Sequence, residues 1–282
     1  RPPRSTLFPY TTLFRSSKGA HPVRYCLQCD NPVGDHDLLE GDKAEIIRFT
    51  LVMFSWRDSC IPTATLRPET IYGVTNLWVN PDVTYVRVLV DGKSWIVSRE
   101  AAEKLALQDH TVDVIEEIQG SSLVDETVSH PLCGEIPILP ASFVDPGMAS
   151  GMVMSVPAHA PFDYIALRDL QSKGLYTGIS PIPLISVKGY GEIPAAEAVE
   201  KAGISDQNDP RMETLTQEVY SAEFSHGRLF DSYGGESVRE ARESVAELMV
   251  EKYQSVYMFE FDSRPVVCRC GGTVFVKILH DQ

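Results

Sequence analysis

Residues 61–79, Ile-Pro-Thr-Ala-Thr-Leu-Arg-Pro-Glu-Thr-Ile-Tyr-Gly-Val-Thr-Asn-Leu-Trp-Val, constrain this chain more than any other stretch. Thr63, Thr65, Thr70 and Thr75 crowd around a turn set by Arg67 and Pro68, and an apolar run follows. Two segments that read as strands, joined by such a turn, gather hydroxyls at the mouth of a sheet. Hydroxyls there can hydrogen-bond a small ligand and exclude others by bulk. The same residues read equally well as a Thr-rich hairpin with no ligand, because Thr is a good strand residue.

Residues 150–170, Ser-Gly-Met-Val-Met-Ser-Val-Pro-Ala-His-Ala-Pro-Phe-Asp-Tyr-Ile-Ala-Leu-Arg-Asp-Leu, add a second constraint. A buried-type strand from Met152 to Val156 runs into a proline-bounded loop. A helix starts near Pro161, where the missing N–H has no intrahelical partner anyway. Asp163 falls in its first turn. There it is either a favourable charge at a helix N-terminus, worth about 0.3–1 kcal/mol, or a fixed carboxylate for a ligand cation.

Periodicity over the rest of the chain gives a mixed α and β protein. Strand formers dominate Ile46–Phe54, Ile71–Val79, Thr84–Val90, Ser94–Val97, Thr111–Ile115, Gly151–Val156 and Ser255–Phe261. Ser98–Leu107, Pro161–Lys173, Ala195–Lys201, Arg211–Tyr220 and Glu236–Tyr253 read as helices. The last carries an apolar stripe of Val238, Ala241, Val245, Leu248 and Met249. With 282 residues, 43% of them hydrophobic, the chain can bury one large domain with a satellite, or two domains. No apolar run approaches the ~20 residues of a membrane span, and the N-terminus lacks the apolar core of a signal peptide. Gly189-Tyr190-Gly191 is no dinucleotide fingerprint, since the third glycine is missing and Pro194 follows.

Taken together, the two stretches resemble the editing domain of leucyl-tRNA synthetases of the archaeal and eukaryotic cytosolic type. Thr65-Leu66-Arg67-Pro68-Glu69-Thr70 is similar to that family's threonine-rich motif, and Val153 to Asp163 to the strand and loop carrying its aspartate. Valyl-tRNA synthetase editing domains share Arg-Pro-Glu-Thr. Tyr72-Gly73-Val74-Thr75-Asn76-Leu77-Trp78-Val79 and Ser155-Val156-Pro157-Ala158-His159-Ala160-Pro161 resemble the leucyl branch. So do Gly189-Tyr190-Gly191-Glu192, Gly234-Gly235-Glu236-Ser237-Val238 and Val276-Lys277-Ile278-Leu279-His280-Asp281-Gln282. The resemblance runs over residues 18–282.

It implies the class I synthetase (Val/Ile/Leu) editing-domain fold, a β-barrel-like core with surrounding helices. The editing domain is expected over 44–261, with 175–260 an elaboration on the core. It also implies hydrolysis of mischarged tRNA(Leu), with the acceptor end of that tRNA and the remaining catalytic body of the synthetase as partners, in the cytoplasm. Asp163 then binds the substrate's α-ammonium group, Thr70 is the steric guard against a leucyl side chain, and Thr65 hydrogen-bonds near the ester or terminal ribose. Thr63, Arg67, Met154, Val156 and His159 are expected around the substrate; His159, lacking a partner in sequence, is not expected to be a base. The family pattern ahead of the strand departs here to Ala149-Ser150-Gly151-Met152, so Met152 is expected to narrow the pocket. The alternatives are a valyl- or isoleucyl-type editing domain, or an inactive fragment that only binds RNA.

Residues 1–17 match nothing in the family and read as a non-native leader. No His-Ile-Gly-His-like or Lys-Met-Ser-Lys-Ser-like signature occurs, so ATP and Mg are expected only in a full-length enzyme, and the chain reads as an excised fragment. The formal net charge of −14, from 39 acidic and 25 basic residues, predicts weak, salt-sensitive tRNA binding.

Six cysteines are unevenly arranged. Cys26 and Cys29 form Cys-x-x-Cys, Cys268 and Cys270 form Cys-x-Cys, and Cys60 and Cys133 read as packed thiols. An inserted domain has its ends close together, so the two pairs could meet across a stalk of 18–43 and 262–282 and hold a structural zinc. Unliganded reduced thiols, or a disulfide made in vitro, are the alternatives.

Overall fold

Strand Ile46–Trp56 is the hub of the molecule, because residues 49–54 are buried and it hydrogen-bonds on both sides. The computed structural model describes residues 19–280. The leader expected at 1–17 and the closing Asp281-Gln282 lie outside the described residues. Ser59–Thr65 returns along Ile46–Trp56 in antiparallel register from Trp56↔Ser59 to Thr50↔Thr65. Val256–Phe261 pairs with its first half and Thr127–Ser129 with its end at Ser55.

Among the described residues the full sheet has ten strands. Its path runs Val153–Ser155, Asn76–Val79, Glu135–Pro140, Thr127–Ser129, Ile46–Trp56, Ser59–Thr65, Lys93–Ser98, Thr84–Val90 and Val112–Gln119, with Val256–Phe261 off the path. Asn76–Val79 with Glu135–Pro140, and Ser59–Thr65 with Lys93–Ser98, are parallel pairs in an otherwise antiparallel sheet. Curvature brings the edge strand Val153–Ser155 against Ser59–Thr65 in the middle of the path. That closure gives the barrel-like core, filled by Phe54, Ile61, Ile71, Leu77, Tyr85 and Ile138.

The predicted elements recur with instructive differences. Ile71–Val79 is not one strand: Pro68–Gly73 is a 3-10 helix and only Asn76–Val79 is extended. Pro68 presets the first helical φ, and the Thr70 N–H and hydroxyl both donate to Arg67 O, at 3.0 and 2.8 Å. Gly151–Val156 shrinks to Val153–Ser155, because Ala149 and Gly151 sit at φ +48° and +79°. A Cβ at Gly151 would lie 2.5 Å from Ser98 Cβ, so glycine is required there. Met152 is buried in the core and does not narrow the cavity described below. Helix Met212–His226 runs six residues past its expected end at Tyr220.

Helices end where side chains satisfy free backbone groups. Ser98 accepts the Ala101 N–H at 3.1 Å and starts Arg99–Ala106. Ser237 and Glu240 form a capping box on Val238–Tyr253, whose stripe of Val238, Ala241, Val245 and Met249 is buried with Leu248 at its margin. Lys104 reaches from the first of these helices to Glu260 at 2.9 Å and Gly147 O at 2.8 Å, while Glu260 accepts the Ala149 N–H. This buried pair ties helix, loop and strand Val256–Phe261 together.

The expected elaboration over 175–260 is joined to the core through that strand and through helix Met212–His226, which packs on helix Pro161–Ser172. A second, smaller unit forms from the two described ends of the chain. Ala20–Cys26 pairs antiparallel with Val274–His280 over its whole length, and Leu38–Glu40 with Val267–Cys268. Its two seven-residue strands escaped the sequence reading because the partner of each lies at the far end of the chain. Among the described residues, no helix is long and apolar enough to cross a membrane.

Candidate functional site

The Thr65–Thr70 turn, the loop 156–160 and helix Met212–His226 enclose a cavity of about 310 Å³. Thr65, Arg67, Thr70, Met154, Val156, His159 and Asp163, drawn from both diagnostic stretches, line it. Thr63 does not. It is fully buried one pleat away, and its Oγ1 has no hydrogen-bond partner among the described residues. Phe49, Phe143, Phe162 and Tyr220 complete the walls and were not singled out from the sequence.

Asp163 stands in the first turn of helix Pro161–Ser172 and is 7% exposed. Its Oδ1 accepts the Trp78 indole N–H at 2.9 Å and its Oδ2 the Val156 N–H at 2.7 Å. Each oxygen keeps a further lone pair for a ligand donor. Burial pushes its carboxyl up to about 6, against the lowering effect of those two bonds. A cation entering the cavity would meet a carboxylate that gains more from pairing than an exposed one does.

The two threonines are fixed by the turn they flank. Thr65 Oγ1 accepts the Arg67 N–H at 2.9 Å, which leaves its own proton uncommitted among the described residues. Thr70 spends its proton on Arg67 O, so its rotamer is locked.

Arg67 does not point an unpaired guanidinium at the cavity. Nη2 donates to Glu223 at 2.6 Å, Nε to Glu69 at 3.1 Å, and the guanidinium lies 4.6 Å from the Tyr220 ring centre. Burial raises the Glu69 carboxyl above its ordinary range, outweighing the lowering effect of the Arg67 charge. His159 is fully buried and spends both ring nitrogens: Nε2 accepts the Leu184 N–H at 2.8 Å, which places the ring proton on Nδ1, donated to Glu223 at 2.7 Å. That arrangement leaves neither nitrogen free for substrate. Glu223 is therefore a further residue missed by sequence reasoning. It sits on the helix that the sequence ended too early, and it clamps Arg67 and His159 from one fully buried carboxylate.

The four paired cysteines converge in the terminal unit. Their Sγ atoms all lie within 4.8 Å of one another, with Cys26–Cys270 at 3.5 Å and Cys29–Cys268 at 3.8 Å. These distances far exceed a disulfide bond of about 2.05 Å. A tetrahedral zinc with Zn–S near 2.3 Å needs sulfurs about 3.8 Å apart, so the set fits that ion. Gly272 belongs to the cradle, since a Cβ there would press on Cys26 Sγ at 3.1 Å. Cys60 is half-buried; Cys133 is exposed in a turn beside His130, not the packed thiol expected.

Comparison with known proteins agrees with this geometry. Residues 47–173 match the family model described as leucyl-tRNA synthetase, editing domain. The leucine--tRNA ligase of Methanothermobacter thermautotrophicus is 48% identical over 279 residues, covering 94% of this chain and 30% of that protein. That of Methanocaldococcus jannaschii is 46% identical over 284 residues, with the same coverage. The chain thus spans about 30% of the length of the curated relatives it matches. Among solved structures, GlLeuRS-CP1 superposes with a TM-score of 0.68 at 24% identity, over 78% of this chain and 100% of that one. The editing domain of the Plasmodium falciparum cytosolic leucyl-tRNA synthetase gives 0.67 at 16% identity, over 75% and 99%. At these identities the likeness speaks to the fold. Residues 47–173 belong to the leucyl-tRNA synthetase editing-domain family whose model they match, and the similarity to leucine--tRNA ligases extends over 94% of the chain.

Proposed function

We propose that the cavity hydrolyses the ester of mischarged tRNA(Leu), releasing noncognate amino acids as the proofreading part of a leucine-tRNA ligase. The observation that carries this reading is Asp163, a buried carboxylate with spare acceptor capacity facing an apolar cavity sized for one amino-acid side chain. The α-ammonium group of the substrate pairs with Asp163 in a charge-assisted hydrogen bond. Met154 and Val156 contact its side chain, and the free Thr65 proton hydrogen-bonds the ester or terminal ribose. Water then attacks the carbonyl, the ester C–O bond breaks, and the terminal ribose regains its hydroxyl. No side chain in the cavity is free to be a general base, so placement of water and ester supplies the rate. A second site is needed because one methylene is worth only about 1–3 kcal/mol to a synthetic pocket.

The test is deacylation of tRNA(Leu) charged with norvaline, isoleucine, methionine or leucine. Release of the first three with leucine retained is the expected result; release of none overturns the hydrolytic reading, and release confined to a valyl or isoleucyl pattern reassigns the substrate. Thr70, its rotamer locked by Arg67 O, is the guard. Thr70→Ala is expected to raise hydrolysis of Leu-tRNA(Leu) by about tenfold or more, the scale set by small changes in pocket volume, and Thr70→Val to keep it low. Unchanged Leu-tRNA(Leu) in the alanine variant would remove Thr70 from that role.

The partners on this reading are the acceptor end of tRNA(Leu) and the remainder of a cytoplasmic synthetase, to which ATP and Mg chemistry belongs. Cys26, Cys29, Cys268 and Cys270 hold a structural zinc that locks the terminal strands. Metal analysis is expected to give about one zinc per chain, and Cys268→Ser to lose it. Chelation should then expose the Ala20–Cys26 and Val274–His280 amides to hydrogen exchange. Full protection after chelation would leave the cluster as reduced thiols.

A further inference from the structure

Beside the cavity runs a second groove of about 450 Å³ that the hydrolytic reading leaves unused. The two share Thr65 and Leu66 as a common wall, so the groove lies directly beside the cavity. Its far side is built from Arg48, Arg239, Arg242 and Phe224. Arg48 is paired with Glu243 at 2.5 Å and stacks over Tyr257. Arg239 and Arg242 form no ion pair with any described residue; their guanidinium carbons lie 5.1 and 5.6 Å from the Phe224 ring centre. Phe224 itself is 38% exposed. On a chain with a formal net charge of −14, two arginines without a direct ion pair flanking an exposed aromatic ring stand against the general electrostatic trend, although the Arg242 charge also acts on the buried Glu69 carboxyl and Glu243 shares the groove.

The helix geometry adds direction. Tyr220 lines the cavity and Phe224 the groove, and both belong to helix Met212–His226. Four residues at 1.5 Å rise set them about 6 Å apart on one face, a step comparable to that between neighbouring nucleotides of an unstacked strand. Aromatic platforms at such a step, beside arginines, are how proteins track single-stranded nucleic acid.

We propose that this groove binds the nucleotide preceding the terminal adenosine of a single-stranded RNA end, with Arg239 and Arg242 on its phosphates and its base stacked on Phe224. This deepens the proposed hydrolytic function and rests on it for the direction of the strand. Arg48 joins the phosphate contacts by leaving Glu243. The groove thereby supplies the local basic footprint that the overall composition lacks, and it fixes the register of the terminal ribose over Thr65.

The experiment uses the full chain and a fluorescein-labelled single-stranded RNA hexamer ending in CCA, titrated by anisotropy across a salt series. Wild-type binding should weaken with salt, and the Arg239→Ala/Arg242→Ala variant should bind about tenfold more weakly. Its log K against log salt slope should fall by about 0.7 for each phosphate that is no longer neutralised. Phe224→Leu, which keeps an apolar side chain, should lose about fivefold or more in affinity with the slope unchanged, in line with the stacking contribution of an aromatic ring. No binding by the wild type, an unchanged arginine variant, or equal binding of a poly-glutamate peptide would overturn the proposal. The hydrolytic reading is judged separately. Binding with these dependences but no deacylation leaves the groove and removes the hydrolysis; deacylation indifferent to the arginine variant does the reverse.

Discussion

Asp163→Ala is expected to reduce kcat/KM for noncognate deacylation by on the order of 10²-fold. A hydrogen bond to a charged group contributes about 1.5–3 kcal/mol, and loss of the ammonium anchor also frees the ester from its place above Thr65. The substitution strands two buried donors, the Trp78 indole N–H and the Val156 N–H. Asp163→Asn separates the two losses. It restores an acceptor for one of those donors and keeps the volume, but carries no charge. Both variants should lose deacylation on that scale, with the asparagine the more stable of the two by thermal unfolding. Full deacylation by either would remove Asp163 from the site.

The same carboxyl sets a pH profile. Burial holds it up to about 6, so kcat/KM, which reports the free enzyme, should fall as pH drops through that value. The stability effect has the opposite sign. The folded state binds more protons than the unfolded one between the ordinary carboxylate range and about pH 6, so this group's contribution declines as pH rises through that window. Thermal unfolding of wild type and Asp163→Asn over pH 4–7 should show the difference narrowing or reversing accordingly. A wild-type rate that is flat through pH 5–7 would mean that Asp163 ionises without the burial seen here.

Asp163 was legible because a local pattern announced it: a strand, a proline-bounded loop, and a carboxylate one turn into the next helix. The cysteines were legible from spacing, although only the pairing of Ala20–Cys26 with Val274–His280 shows how the two ends meet. Thr63 misled because period-two alternation places it with Thr65, while Thr63 lies fully buried two residues back along the strand and only Thr65 reaches the cavity. Met152 misled for a similar reason: Gly151, at φ +79°, swings it into the core. Glu223 left no sequence signal. An acidic residue on a helix reads as a solvated surface group, and the cation that compensates it is 156 positions away.

Glu223→Ala should cost about 3–5 kcal/mol of unfolding free energy, the scale for removing one partner of a buried pair. Its two oxygens satisfy Arg67 and His159 at once, and both its own side chain and that of His159 are fully buried. Without it, Arg67 keeps only Glu69 as a carboxylate partner, and the His159 Nδ1 proton has no acceptor. Glu223→Gln is not a clean rescue. Its amide can accept from Arg67 but then presents N–H to His159, and the ring cannot switch tautomer because Nε2 already accepts the Leu184 N–H. The glutamine variant should therefore fall between wild type and alanine in urea unfolding. Deacylation should fall in both, since Arg67 O holds Thr70, and the loop at His159 leads into Asp163. An alanine variant within about 0.5 kcal/mol of wild type, the spread of ordinary surface substitutions, would mean that Glu69 alone positions Arg67. It would also mean that helix Met212–His226 shields the cavity without organising it.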